Sequence, residues 1–433
     1  MASGDRIYVA DKETLDEVLT LVQKHDSMLE VNPIYGFIEH MEELNPAKRI
    51  EYIGANASYT PLTIDFDSTH SAVYGSWQNF PILKANKPYM VHSDGTPDYR
   101  LSETDYTKKE DGTTASDVAN DQYDGGAFSW LIKHYKYEKV IGDDRVVMYS
   151  MISRPGFEPV GFIDGDDNEL EGVWLPMFYG AVVTQNSVNK MTSISSTQPD
   201  YNKTTDQQKT LIDAFGSRAR FYGGAIVNVV NDLLIMFAKT TDIQLAYGFG
   251  NMSGYVNDPT QYYGVKANAV VGGGQFYGTN SGNYLNKIFH SVVLASWQQW
   301  QRDPYTLVYH GKLLVSPKYI YDLTAETYKD TGITILNAVS TGWYHPHRYK
   351  VVNGYGSFPY GPPFKGSPAT GGTDGIYIRS DQSTFSAVVR RFGSCGRGRY
   401  DGPRCVTLTI AAGDADWGIG SSVLLLPPVG VAA

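Results

Sequence analysis

Several residue groups in this chain are of types that could do chemistry. The two cysteines, Cys395 and Cys405, lie ten apart across a glycine-rich run. Thiols so placed could close a disulfide that braces the loop, or remain two free thiols. Trp343-Tyr-His345-Pro-His347 spaces two histidines as metal ligands sometimes are, but no carboxylate or cysteine cluster adjoins them in sequence, and a loop is the simpler reading. Asp164-Gly-Asp166-Asp167-Asn-Glu169 gathers oxygen ligands that could hold Ca2+. It lacks the full twelve-residue calcium-loop pattern, so a solvated hairpin turn is expected. Gly272-Gly-Gly-Gln-Phe suggests a phosphate loop, yet no Lys-Ser/Thr follows it and no strand-loop-helix frame surrounds it. No reaction, cofactor or metal is assigned to any of these groups.

The stretch Arg390–Gly420 is different in kind. Gly393, Gly396, Gly398 and Gly402 alternate with Ser394, Arg397, Arg399, Tyr400, Asp401 and Arg404. Glycine at that density lets the backbone turn sharply through positive φ, while the residues between differ in charge, size and hydrogen-bonding type. Cys405–Ile410 then reads as a strand with Val406, Leu408 and Ile410 on one face. A second turn, Ala411–Asp416, leads to Trp417 and Gly-Ile-Gly. A buried frame carrying unlike side chains suits binding better than catalysis. The candidate ligand-binding residues are Ser394, Arg397, Arg399, Tyr400, Asp401, Arg404, Asp414, Asp416 and Gly418, expected to form one exposed patch. Trp417, Val406, Leu408 and Ile419 are expected beneath it, against a sheet bearing Trp297 and Trp300, which read as core.

These residues carry a resemblance. Arg391, Gly393, Gly398, Gly402, Cys405, Leu408, Trp417 and Gly420 fall on the pattern of the C-terminal variable region of bacteriophage proteins diversified by retroelements, a C-type-lectin-fold family that shares ancestry with formylglycine-generating enzymes. Phe392 departs from it, standing where the family has its first glycine, which predicts a less tight turn. The resemblance implies an α+β, C-type lectin-like domain, a homotrimer, and host-receptor binding through a variable surface at about 384–426. It is weaker before Asp121, where SDGTPDYRL and DYTKKEDGTTASDVAN resemble the N-terminal half of phage structural proteins. In that family a reverse transcriptase miscopies adenines, mostly in Asn codons, which cannot then become Lys, Glu, Gln, Met or Trp. The chain holds 59 Lys, Glu, Gln and Met residues among 433, so about seven are due in the last fifty, yet Thr384–Ala433 contains none. Glycine-rich β-structure also disfavours these residues, so the bias supports diversification without requiring it.

The elements that must position this stretch can be read in outline. A chain of 433 residues allows two domains with ample core. The net charge of −10 argues against a nucleic-acid or anionic-membrane surface, and 13% aromatics with 44 glycines suit β-rich, loop-heavy structure. No secretory signal or bilayer-length apolar run is visible. Near the N-terminus, Asp11 can cap a short helix striped with Leu15, Val18, Leu19 and Val22, which would pack on its own domain or serve an oligomer. Extended runs are expected at Ile34–Glu39, Ile50–Ile53, Thr60–Phe66, Phe128–Leu131, Lys136–Val140, Val146–Ile152 and Val173–Phe178. Helices are expected at Thr205–Phe215 and Gly224–Lys239, and the resemblance implies that they pack on a small twisted sheet. The polar loop Ser93–Asp121 is the boundary candidate. It separates an N-terminal virion-attachment or oligomerisation region, 1–120, from a lectin-like domain, 121–433.

The resemblance implies receptor binding by a phage, at a tail fibre or other host-facing part of the virion. The partners would be a host cell-surface protein or glycan, other virion proteins and two further copies of the chain, with no nucleic acid and no membrane insertion. A non-diversified capsid or tail protein is one rival. An enzyme of the formylglycine-generating type is another, but its copper-holding cysteine pair would have to sit in the variable surface. A bacterial surface adhesin is a third, without a visible export signal.

Overall fold

A computed structural model of the protein describes residues 32–65, 72–247, 288–291, 293, 299–322, 324–335, 340–345, 348–359, 375–394 and 400–433. Strand makes up 37% of the structure and helix 15%, and one sheet curls into a half-barrel. The α+β, lectin-like architecture expected from the sequence is thereby corrected to a β-rich fold. The physical reason lies in how the helices are used. Thr205–Phe215 and Ala225–Ala238 form as predicted, but the second is buried at every one of its fourteen residues. It is a strut inside the core rather than a layer laid on a sheet.

Local chemistry explains both helices. Thr204 caps the first: its hydroxyl accepts from Gln207 N (3.2 Å), and the Gln207 side chain accepts from Thr204 N (2.9 Å). Leu211, Ile212 and Phe215 form its buried face. The second helix ends at Lys239, which takes a left-handed φ of 54°.

Three sheets of four or more strands share the core that holds this strut. The first, four antiparallel strands, runs Ile50–Gly54, Tyr35–His40, Asp144–Ser150, Tyr135–Ile141. The second is six-stranded, in the order Ala219–Phe221, Val423–Leu425, Gly172–Pro176, Gly125–Ile132, Pro88–His92, Pro97–Arg100. It joins strands from both sides of residue 120 with one from the end of the described chain. The expected loop Ser93–Asp121 contains the strand Pro97–Arg100 and a run of Asx turns, in which Asp94, Asp105 and Asp111 accept from the amides of Thr96, Thr107 and Thr113. The third sheet runs Lys329–Thr334, Lys312–Val315, Trp300–Tyr309, Ala387–Arg391, Val406–Thr407, Ile376–Ile378, Gly342–Tyr344, with Ile419–Gly420 parallel to Trp300–Tyr309. One hydrophobic cluster runs through all three, from Tyr35 and Trp77 to Leu424 and Leu426. The Asp11 helix, Trp297, the Gly272 run, His347 and Cys395 lie outside the described residues.

Candidate functional site

The turn after Ala387–Arg391 is fixed from below by two buried polar networks. Arg391 points inward: its Nε donates to Asp303 Oδ2 at 2.6 Å, and its amino groups donate to Asn228 Oδ1 at 3.2 Å and Tyr355 OH at 3.1 Å. Asp303 also accepts from Gly224 N, at the head of the buried helix. Phe392, where the resemblance has glycine, takes φ of 79°, the conformation a glycine would supply. Its ring is fully buried and stacks on Tyr222 at 6.1 Å and 25°. Burying the ring compensates the backbone strain, so the turn keeps its shape without its first glycine. Gly393 follows at φ 97°, and a Cβ there would lie 1.7 Å from Asp401 Oδ1.

The second network contains Arg404. Its two amino groups clamp both oxygens of Glu39, at 2.9 and 3.0 Å, and its guanidinium lies 4.5 Å from the Tyr349 ring centre. Glu39 is fully buried and also holds Arg49 Nε at 2.9 Å and Arg145 Nε at 3.0 Å. Arg145 continues to Glu138 and Asp232, which share Lys136. Burial alone would raise the Glu39 carboxyl. The guanidiniums of Arg404, Arg145 and Arg49 outweigh it and hold the group well below the usual carboxylate range. In the same way burial would lower Arg404, and Glu39 raises it.

The residues expected to share one exposed patch therefore divide. Ser394, Asp401, Arg404 and Gly418 are buried, Tyr400 is half-buried, and Asp414 and Asp416 are exposed. Arg397 and Arg399 lie outside the described residues. Asp401 packs against Gly393, and its carbonyl accepts from Gln244 at 3.0 Å. Asp414 Oδ2 accepts from Ala411 N and Asp416 Oδ1 from Gly418 N, so each carboxylate closes a turn of its own loop. Val406, Leu408 and Ile419 are buried as expected, whereas Trp417 is only half-buried.

What remains at the surface around Tyr400 is aromatic. Tyr400 stacks on Trp343 (4.7 Å, 20°) and on His345 (5.4 Å, 22°). Trp343 stacks in turn on Trp300 (6.2 Å, 11°) and meets the edge of Tyr377 (5.1 Å). The Arg390 guanidinium lies 5.2 Å from the Trp300 ring centre. Gly375 makes the stack possible: a Cβ there would fall 2.7 Å from Trp343 Cε3 and 3.2 Å from Tyr400 Cδ1. Gly375 N donates to Tyr400 O (2.9 Å), and Trp300 N to Gly418 O (2.9 Å), tying both turns to the ring column. Trp300, Cys405 and Ile419 form a small buried cluster that Trp343 and Ile410 partly cover. Half-exposed rings on a locked backbone give large contact area at little cost in side-chain entropy. Sequence reasoning missed Trp343 and Tyr377 as site residues, because only the distant pairing of Gly342–Tyr344 with Ile376–Ile378 brings them to Tyr400.

The acidic turn Asp164–Glu169 resolves into local structure. Asp164 Oδ1 accepts from Asp166 N and Asn168 N (both 3.0 Å), Asp167 pairs with Lys318, and Glu169 with Lys133. Among the described residues no three His, Cys, Asp or Glu side chains gather where they could hold a metal ion. His345 is buried beside Tyr400, and the Cys405 thiol is buried. No helix among the described residues is long and apolar enough to cross a membrane. A scan against protein-family models finds no match to this chain, and a search of curated proteins finds none either.

Proposed function

We propose that this chain is a receptor-binding protein of a bacteriophage virion, and that it contacts a host-surface ligand through the face built by Trp343, Tyr377, Tyr400 and the loop 411–417. The observation that carries this reading is the aromatic stack on a turn whose backbone is fixed by the Arg391 and Arg404 networks. It supports recognition by a preorganised surface rather than a reaction. The missing Lys, Glu, Gln and Met over the last fifty residues supports diversification of the same segment. In this reading Arg404, Asp401 and Ser394 belong to the frame, and the contact residues are Tyr400, Asp414 and Asp416, with Arg397 and Arg399 between the framework glycines. Three copies would raise a weak single-site affinity by avidity.

The test is competition for adsorption. Purified protein should block phage attachment to host cells. The Trp343→Ala/Tyr400→Ala double variant should lose that competition by a factor of roughly 30 or more, since each large aromatic anchor contributes about 1–2 kcal/mol. Undiminished competition by a folded double variant refutes the reading. The burial of Arg404 and Asp401 favours a second reading, a constant structural turn in a virion protein without a receptor. Sequencing the gene from many isolates separates the two: diversification requires adenine-directed changes confined to about 384–426, and a constant turn requires none.

A further inference from the structure

A cleft of about 300 Å³ opens between the helix Thr205–Phe215, the strand Ala219–Phe221 and the loop 316–322. None of its lining residues belongs to the face described above. Its wall carries the half-buried Tyr321 ring, backed by sealed rings: Phe221 meets Tyr305 edge-on at 6.3 Å and Tyr321 at 6.2 Å, and Tyr305 meets Tyr319 at 5.5 Å, with Phe221, Tyr305 and Tyr319 buried. The polar atoms of these buried residues are committed to the scaffold. Phe221 N donates to Tyr305 OH (3.0 Å) and Tyr319 OH donates to Gly161 O (2.5 Å). Tyr319 sits at φ 59°, a left-handed conformation that a tyrosine holds only when its surroundings over-determine it. Ile320, 37% exposed, stands at the mouth.

The rim mixes donors and acceptors of both signs. Lys209 and Asp213 pair one helical turn apart (2.5 Å). Arg220, which lines the cleft, rests one amino group on the carbonyls of Ser217 and Ala219 (2.9 and 2.7 Å). The Tyr321 hydroxyl donates to Asp206 (3.1 Å). A nearly charge-balanced rim favours neither an anion nor a cation. The Tyr321 ring and Ile320 beside such a rim match a ligand with one apolar C–H face and a margin of hydroxyls that each donate and accept. A volume of about 300 Å³ is at the small end of ligand sites, the size of one or two sugar rings rather than a folded peptide.

The cleft is also tied to the loop proposed to vary. Thr205, beside the Asp206 that holds Tyr321, donates through N (3.0 Å) and Oγ1 (2.9 Å) to Ala412 O. Arg302 bridges Thr205 Oγ1 and the Asp414 carbonyl. We infer that this cleft is a fixed subsite for a pyranose ring of a glycan, next to the 411–416 loop and built wholly from residues before 384. The inference goes beyond the receptor-binding reading and stands if that reading fails.

Methyl glycosides of glucose, galactose and N-acetylglucosamine serve as probes in saturation-transfer NMR with the full chain, with N-acetyltyrosinamide as the peptide-like control. At least one glycoside should give saturation transfer. Tyr321→Ala should weaken it tenfold or more, and Ile320→Trp, which fills the mouth from an exposed position, should abolish it with the circular dichroism unchanged. Tyr400→Ala should leave it as in the parent protein, which separates this site from the aromatic face. No transfer from any glycoside, transfer from the control alone, or equal transfer in a folded Ile320→Trp protein overturns the inference.

Discussion

Replacing Arg404 by alanine takes away both of its hydrogen bonds to Glu39 and its cation–π contact with Tyr349, within a cluster that is almost sealed from water. Its magnitude follows from what the cluster keeps. Arg49, Arg145, Arg404 and Lys136 face Glu39, Glu138 and Asp232, so the cluster carries one more cation than carboxylates. Without Arg404 the count balances, and Glu39 retains Arg49 on one oxygen and Arg145 on the other. The loss is then about that of two charge-assisted hydrogen bonds, roughly 3 kcal/mol. Glu39→Ala instead leaves three guanidiniums without their shared acceptor and should cost about 5 kcal/mol or more, the upper end for a broken buried pair. Arg404→Lys keeps the charge but not the fork and should fall between the parent and Arg404→Ala. In thermal unfolding, at roughly 2 °C per kcal/mol for a large domain, Tm should drop by about 6 °C for Arg404→Ala and about 10 °C for Glu39→Ala. A drop below about 1 °C for Arg404→Ala would place this side chain outside the buried cluster and refute the argument, returning it to the set of residues available to a ligand.

Phe392→Gly relieves a left-handed backbone strain of about 1–2 kcal/mol but empties the site beside Tyr222, where a truncated phenylalanine costs about 3–5 kcal/mol, so denaturant unfolding should show a net loss near 2 kcal/mol. A gain in stability would mean that the ring is not held in the core. Gly375→Ala drives a methyl into Trp343 and should cost about 1–3 kcal/mol, with the near-ultraviolet circular dichroism of the tryptophan stack reduced; an unchanged spectrum disproves the contact. His134 is buried, and its Nε2 has no hydrogen-bond partner among the described residues. Burial foremost, then the Lys136 charge, pushes its imidazole down to about 4, against the backbone carbonyl of Ile132, which raises it. The unfolded chain therefore binds a proton near pH 6.5 that the folded chain refuses. Stability should be full above that pH and fall by roughly 3 kcal/mol as pH drops to about 4. A parent protein with flat stability from pH 7 to 4 contradicts this, and His134→Gln should remove the slope.

The two long helices were legible because their signals are local: the Thr204 and Gln207 capping pair, and apolar residues at helical spacing through Ile226, Val230, Leu233 and Phe237. Longer strands were legible as runs rich in β-branched and aromatic residues, many buried on both faces, and the run Ile50–Ile53, which alternates, extends in the structure to Gly54. The balance of the fold was not, because two- and three-residue strands such as Val406–Thr407 and Ile419–Gly420 carry no period and exist only through distant partners. The fate of Arg404 was hidden for the same reason. An arginine after Gly-Pro in a polar turn reads as surface, and its partner Glu39 lies 365 residues away. The shape of the turn was readable from Gly393, whereas its use of Phe392 in a glycine conformation depends on Tyr222, which no nearby residue announces.

The strand Val423–Leu425 sits inside its sheet, hydrogen-bonded to Gly172–Pro176 on one side and Ala219–Phe221 on the other. The second sheet therefore stays open until the ribosome has passed residue 425. A nascent chain that meets a stop or frame shift anywhere in 384–422 emerges with a gap in the middle of its core and two unpaired strand edges facing it. Such a product is expected to be degraded rather than assembled. On the diversification reading, folding itself proofreads the segment that varies: every copy that survives to be displayed has been translated in frame through the whole of it.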